Sequence, residues 1–146
     1  MKRFFGLVAA LTLALSLSAA AVQVGDAVGE RFTLPVYEAE REVLRLTNAA
    51  RLARGLAPLS MFDRLHQASR TRARELAADY RSDHTRPDGS NCFTVLDDVA
   101  LTDWSVVGEN IAQGQRNSAE VVTAWMNSPG HRANILEGEF THMGAG

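Results

Sequence analysis

The sequence predicts an α+β domain in which several helices pack on a small, mostly antiparallel sheet. Three observations carry that expectation. Apolar residues recur at three- and four-residue steps over 36–50, 62–80 and 118–127, which is the spacing of helices with one buried face. Shorter apolar stretches at 106–112 and 139–146 have strand character. Repeated strand-helix-strand alternation, the mark of a parallel array, does not accompany them.

Taken in order, residues 1–21, MKRFFGLVAALTLALSLSAAA, open with Lys2 and Arg3, continue apolar from Phe4 to Leu17, and end in small residues at Ala19 to Ala21. That is the layout of a secretory signal. The apolar run is shorter than the roughly 20 residues a bilayer requires. A signal over 1–21, a leader over 22–35 and one domain over 36–146 are therefore expected, with no transmembrane span after cleavage.

The domain begins with a helix whose inner face is Val36, Ala39, Val43, Leu46 and Ala50, stopped by Gly55 and Pro58. Ser60 is placed to cap a second helix with Phe62, Leu65, Ser69, Ala73, Leu76 and Tyr80 along one face. SDHTRPDGSNCF follows, dense in turn formers, with Pro87-Asp88-Gly89 reading as a tight turn. VVGENIA has strand character, yet Gly108, Glu109 and Asn110 interrupt it. A third helix spans about 118–127, and a short fourth starts at Ser128 with Pro129 in its first position and His131 in its first turn. EFTHMGAG closes as a weak strand.

Composition removes several mechanisms. The chain has 15 basic and 17 acidic residues; without Lys2 and Arg3 the basic count is 13 and the net charge moves from -2 to -4. Neither nucleic acid nor an acidic membrane surface is suggested as a partner. Lys2 is the only lysine, so the expected domain has none for a Schiff base, a Ser-Lys pair or a phosphate loop. Cys92 is the only cysteine, which excludes an internal disulfide and any zinc site built on two thiolates. Cys92 itself reads as a small buried hydrophobe. His66 reads as an exposed helix residue and His142 as a strand-face residue.

Taken together, HTRPDG, CFTVL, VGENIA, AEVVTAWMNSPGHRANIL and FTHMGAG resemble the bacterial secreted branch of the CAP superfamily, which comprises the cysteine-rich secretory proteins, antigen 5 and pathogenesis-related proteins. The resemblance implies an α-β-α sandwich (the SCP-like fold) whose cleft gathers two histidines and two acids. On this sequence those positions are His84, Glu109, Glu120 and His131. In some relatives the histidines hold a divalent metal, often zinc; the superfamily is also associated with sterol, lipid or peptide binding, and proteolysis has been proposed for some members. Relatives continue into further strand sequence past the FTHMGAG-like segment, so the domain is expected to lack its C-terminal strand or strands.

Chemistry keeps alternatives open at these positions. Two imidazoles can bind a divalent transition ion, with glutamates to orient them or to act as a base on bound water. A catalytic zinc normally has three protein ligands, so two histidines alone predict a weak site. A helix N-terminus disfavours the imidazolium at His131. Glu120 fits helix capping as well as a cleft role, because Asn117 to Glu120 resembles a capping box. The expected function is a secreted or cell-envelope binding module for a small lipid or peptide-like ligand, with His84 and His131 as metal ligands and Glu109 and Glu120 as the acids. A metal-dependent peptidase-like hydrolase with a glutamate base, and a structural envelope domain, are the rival expectations.

Overall fold

A computed structural model describes the backbone of residues 4–7 and 33–146, and side chains from 36 onward. The rest of the expected signal, its cleavage site near Ala21 and most of the leader lie outside the described residues. The elements are β1 (Phe4–Leu7), α1 (Thr33–Leu52), β2 (Ser60–Met61), α2 (Asp63–Ala78), a 3-10 turn at Cys92–Thr94 leading into α3 (Val95–Asp98), β3 (Glu109–Asn110), α4 (Ser118–Asn127), α5 (Pro129–Ile135) and β4 (His142–Gly144).

The strands lie in the order β2-β4-β1-β3. Every pairing is parallel: Gly6 is opposite Glu109, Phe5 is opposite Met143, and Ser60 is opposite His142. This corrects the expectation of a mostly antiparallel sheet. No paired strands here are joined by a hairpin; β2 and β4, for example, are separated by all of α2 to α5, and such long crossovers deliver parallel pairs. The slot between β4 and β3 is filled by Phe4–Leu7, so removing the expected signal would remove β1 as well.

The pleat around β4 shows why helices cover both faces. Met143 and Ala145 are fully buried in one cluster with Val43 of α1, Val121, Val122 and Trp125 of α4, and Ile135 of α5. The alternate residues meet α2 instead. A Cβ on Gly144 would lie 2.3 Å from the Leu65 carbonyl oxygen, and one on Gly146 would lie 2.4 Å from the Arg70 nitrogen. Period-two alternation thus sends Ala145 to one core while the flanking glycines admit the α2 backbone. On that side Leu65 and Ala68 pack with Val95, Leu96 and Leu101. The result is the expected α-β-α sandwich.

Several local expectations change for identifiable reasons. The buried face of α1 is Glu40, Val43, Thr47 and Arg51, whereas Val36 is exposed. Arg51 is inside because its guanidinium donates to the carbonyls of Ala57 (2.9 Å), Ile135 (2.8 Å), Glu137 (2.8 Å) and Phe140 (3.3 Å), tying the end of α1 to the end of α5. Ser60 is not a helix cap: its N–H donates to the Thr141 carbonyl at 3.1 Å within the sheet, and Phe62 occupies the N-cap of α2. The strand expected at 106–112 shrinks to Glu109–Asn110, and the buried Trp125 indole donates to the Ile111 carbonyl at 3.0 Å just beyond it. His66 is not exposed. Its ring lies beside Glu40, with Nε2 to Oε2 at 3.3 Å, and packs edge-on to Tyr37. His142 is on β4 as expected, edge-on to Phe62.

Candidate functional site

The site is assembled where α2, the 84–92 loop, β3 and the start of α5 meet. Asp83 opens the loop by accepting from the Thr85 N–H at 3.1 Å and the Thr85 hydroxyl at 2.7 Å. The tight turn forms as its residues dictate, with Gly89 at φ 84° and its N–H donating to the Arg86 carbonyl at 2.9 Å. The chain then folds back, and the Cys92 N–H donates to the His84 carbonyl at 3.0 Å. His84 itself is in the left-handed region at φ 61°. A side chain there costs about 1–3 kcal/mol, so the surrounding contacts must hold it.

The firmest of those contacts is Glu109. His84 Nδ1 lies 2.8 Å from Glu109 Oε1, with the histidine side chain 39% exposed and the glutamate 5% exposed. A carboxylate in such a place requires a cation, and Arg72 supplies it: Nε donates to Glu109 Oε2 at 3.1 Å. Arg72 is fully buried. Its other arms donate to Glu75 Oε2 at 2.6 Å and to the Thr85 carbonyl at 3.4 Å. Arg86 joins the far side of Glu75 at 2.6 Å and reaches Asp98 at 2.7 Å. Burial pushes the Glu75 carboxyl up, but Arg86 and Arg72 outweigh it and hold it below the usual range.

His131 is reached from the other side. Asn110 donates to the His131 carbonyl at 3.0 Å, and Asn134 donates both to Asn110 Oδ1 at 2.9 Å and to the Glu109 carbonyl at 3.2 Å. Pro129 takes the first helical position; Ser128 is the N-cap by backbone geometry, although its hydroxyl makes no capping bond. His131 is lowered from the ordinary imidazole range, first by burial and then by the nearby His84. The direction matches the sequence expectation; the causes resolved are desolvation and a neighbouring imidazole.

Glu120 is held elsewhere. Its carboxylate accepts from the Arg116 N–H at 3.0 Å and from the Arg116 guanidinium at 2.6 Å, while its own N–H donates to Asn117 Oδ1 at 2.9 Å. The structure thus pairs His84 with Glu109, brings His131 close enough for His84 to act on it, and engages Glu120 in the start of α4.

Two participants were not legible as such in the sequence. Arg72 falls on the buried face of α2 at i+3 from Ser69, where a cation gives no apolar signal. Cys92 is buried as expected but stands at the site: its sulfur, a His84 ring nitrogen and a Glu109 oxygen lie within 4.8 Å of one another. Burial, and then the Glu109 charge, push the Cys92 thiol up to about 12.

A profile of the cysteine-rich secretory protein family, CAP, matches residues 44–146. The chain belongs to this family. Over 107 residues the CAP domain is 40% identical to the uncharacterized protein YkwD of Bacillus subtilis strain 168, covering 73% of this chain and 41% of the relative. It is 28% identical to the uncharacterized membrane protein YlbC of the same strain, covering 73% of this chain and 31% of the relative. Among solved structures, it is similar to an extracellular protein containing an SCP domain from Bacillus anthracis strain Ames, with TM-score 0.70, 23% identity, and coverage of 74% of this chain and 36% of that one. The chain spans less than half the length of each of these relatives. Among the described residues, no helix is long and apolar enough to cross a membrane.

Proposed function

We propose that this CAP domain is an extracellular binding module whose His84–Glu109–His131 cleft takes a small peptide-like or lipid ligand, assisted by a divalent metal. The observation that carries this reading is the state of the acids. Glu109 is occupied by Arg72 on one oxygen and His84 on the other, and Glu120 is occupied by Arg116. A general base needs a free, positioned carboxylate, and each would have to leave a guanidinium to serve as one. Cys92, raised to about 12, stays a thiol at neutral pH and is a poor nucleophile.

The imidazoles are different. His131 is biased toward the neutral form, and His84 turns its Nδ1 edge to Glu109, which leaves Nε2 for a ligand. His84 and His131 are the imidazoles that would hold a weakly bound divalent ion such as zinc in this reading. A bound zinc would supply a Lewis-acid anchor for a ligand carbonyl or phosphoryl oxygen. Glu109 would act on such an ion through the His84 ring. The secretory family and the extracellular description of the Bacillus anthracis neighbour support export.

The test is a panel of peptides and esters incubated with the zinc-supplemented protein, beside calorimetric titration with the same peptides and with short-chain lipids. Heat of binding that His131→Ala removes, without turnover, is the expected result. Turnover abolished by His131→Ala would overturn the binding reading in favour of a metal-dependent hydrolase.

A further inference from the structure

We propose that the groove where the end of α4 meets α5 is a docking site for the C-terminal carboxylate of a peptide whose last residue is apolar. The groove has a volume of about 370 Å³ and is lined by Met126, Asn127, Pro129, Arg132, Ala133 and Leu136. None of these residues belongs to the His84–Glu109–His131 cleft. Arg132 follows His131 in α5, and successive helical residues are turned by about 100° from each other, so the two side chains leave the helix in different directions. The site stands apart from the binding role of the cleft.

Charge selects the ligand. Arg132 is half-buried, yet among the described residues no carboxylate or carbonyl accepts from its guanidinium. The other arginines withdrawn from full exposure all have such a partner. Arg51 donates to backbone carbonyls, Arg70 to Glu40, Arg72 to Glu109 and Glu75, Arg81 to Asp79, and Arg86 to Glu75 and Asp98. A guanidinium keeps its charge and loses hydration when covered, so one without an acceptor is short of an anion. A cation in the last turn of α5 also suits the helix dipole, but that effect asks for no apolar surroundings. Arg132 has them in Met126, Pro129, Ala133 and Leu136.

A carboxylate accepts from both arms of a guanidinium in parallel, and a peptide's α-carboxylate is ionised at neutral pH. The apolar residues beside Arg132 then cover the terminal side chain. Asn127, the last residue of α4, is exposed, and its side-chain amide makes no hydrogen bond among the described residues. It can bond the peptide unit that precedes the terminal residue. A fatty acid would engage Arg132 alone, whereas a peptide terminus uses both polar groups of the groove. The volume is at the lower end of the roughly 300–1,000 Å³ of small-ligand sites, which suits one residue and its carboxylate.

The test uses the full chain with carbon-13 methionine methyl groups, and Met126→Leu to assign the signal. The probes are N-acetyl-Ala-Leu, the same peptide as its C-terminal amide, and decanoate. The free acid is expected to shift the Met126 methyl signal saturably, with the amide at least about tenfold weaker and decanoate weaker than the acid. Arg132→Gln should weaken the acid at least about tenfold, and Arg132→Lys should weaken it less, because a point charge replaces a fork. No saturable shift, equal binding of acid and amide, or a folded Arg132→Gln that binds as wild type overturns the inference. Decanoate binding more tightly than the acid overturns the peptide as occupant. If Arg132→Gln does not fold, the comparison of acid with amide on the wild type decides. A peptide held only in the His84–Glu109–His131 cleft would leave the Met126 methyl signal in place, so failure of this site and failure of the cleft's binding role are read separately.

Discussion

The side-chain amide of Asn110 donates to the backbone carbonyl of His131 at 3.0 Å. This bond joins the GEN and GHRAN segments, and it places the His131 backbone at a fixed distance from Glu109, the residue next to Asn110. Asn110 is fully buried and also accepts from Asn134 at 2.9 Å. Both sides of its amide are therefore committed to joining β3 to α5.

Asn110→Ala is expected to destabilise the domain by roughly 2–4 kcal/mol, because two buried partners lose their hydrogen bonds. Urea unfolding of the variant beside wild type measures this. A loss within experimental error of zero would mean that water replaces the amide and that the two segments are held by packing alone.

Gly144→Ala places a methyl 2.3 Å from the Leu65 carbonyl oxygen, which no rotamer can relieve because the obstacle is backbone. β4 would have to separate from α2, at an expected loss of more than about 3 kcal/mol. Ala145→Gly, in the neighbouring pleat position, removes one buried methyl and should cost roughly 1–2 kcal/mol. Thermal unfolding that ranks the two the other way would contradict the assignment of faces around β4.

The acid limb of stability should depend on Glu40. Burial pushes its carboxyl up, but His66 and Arg70 outweigh burial and leave it below the usual value of 4.5. Arg70 makes the contact bidentate, at 2.7 and 2.6 Å. A folded-state value below the unfolded one gives stability that is present in full above about pH 4.5 and is lost as pH falls from there toward the lower folded value. In Arg70→Met the carboxyl loses its Arg70 contribution and its folded value rises, so the variant should melt lower at neutral pH but lose less further stability than wild type as pH falls below about 4.5. Melting curves across about pH 3 to 7 read this directly, and an acid fall as large as in wild type would remove the Glu40–Arg70 pair from the acid limb.

Much of this was written in local sequence and some of it was not. The helices followed from apolar periodicity, and the tight turn at Pro87-Asp88-Gly89 from residue chemistry. The direction of strand pairing did not follow, because β2 and β3 have two residues each and carry almost no pattern of their own; only the long crossovers fix their sense. Charged residues in the core were equally hidden. Arg51 and Arg72 lie on buried helical faces that hydrophobic periodicity marks as apolar, and their partners are backbone carbonyls and acids distant in the chain. His66 was misplaced for the same reason, since its neighbour Glu40 comes from another helix. At the site, His84, Glu109 and His131 were readable from motif; the structure pairs His84 with Glu109, and the Asn110 amide holds the His131 backbone. Arg72 and Cys92 were not, because their roles come from the fold-back of the 84–92 loop onto α2.

Zinc titration followed by calorimetry tests the central claim most directly, comparing wild type with His84→Ala, His131→Ala and the double variant. The account predicts weak, saturable binding by wild type, reduced at least about tenfold by either single change and absent in the double variant while all four proteins remain folded. Equal binding by wild type and the double variant would contradict it, and would leave His84 and His131 as parts of the fold with no ion between them.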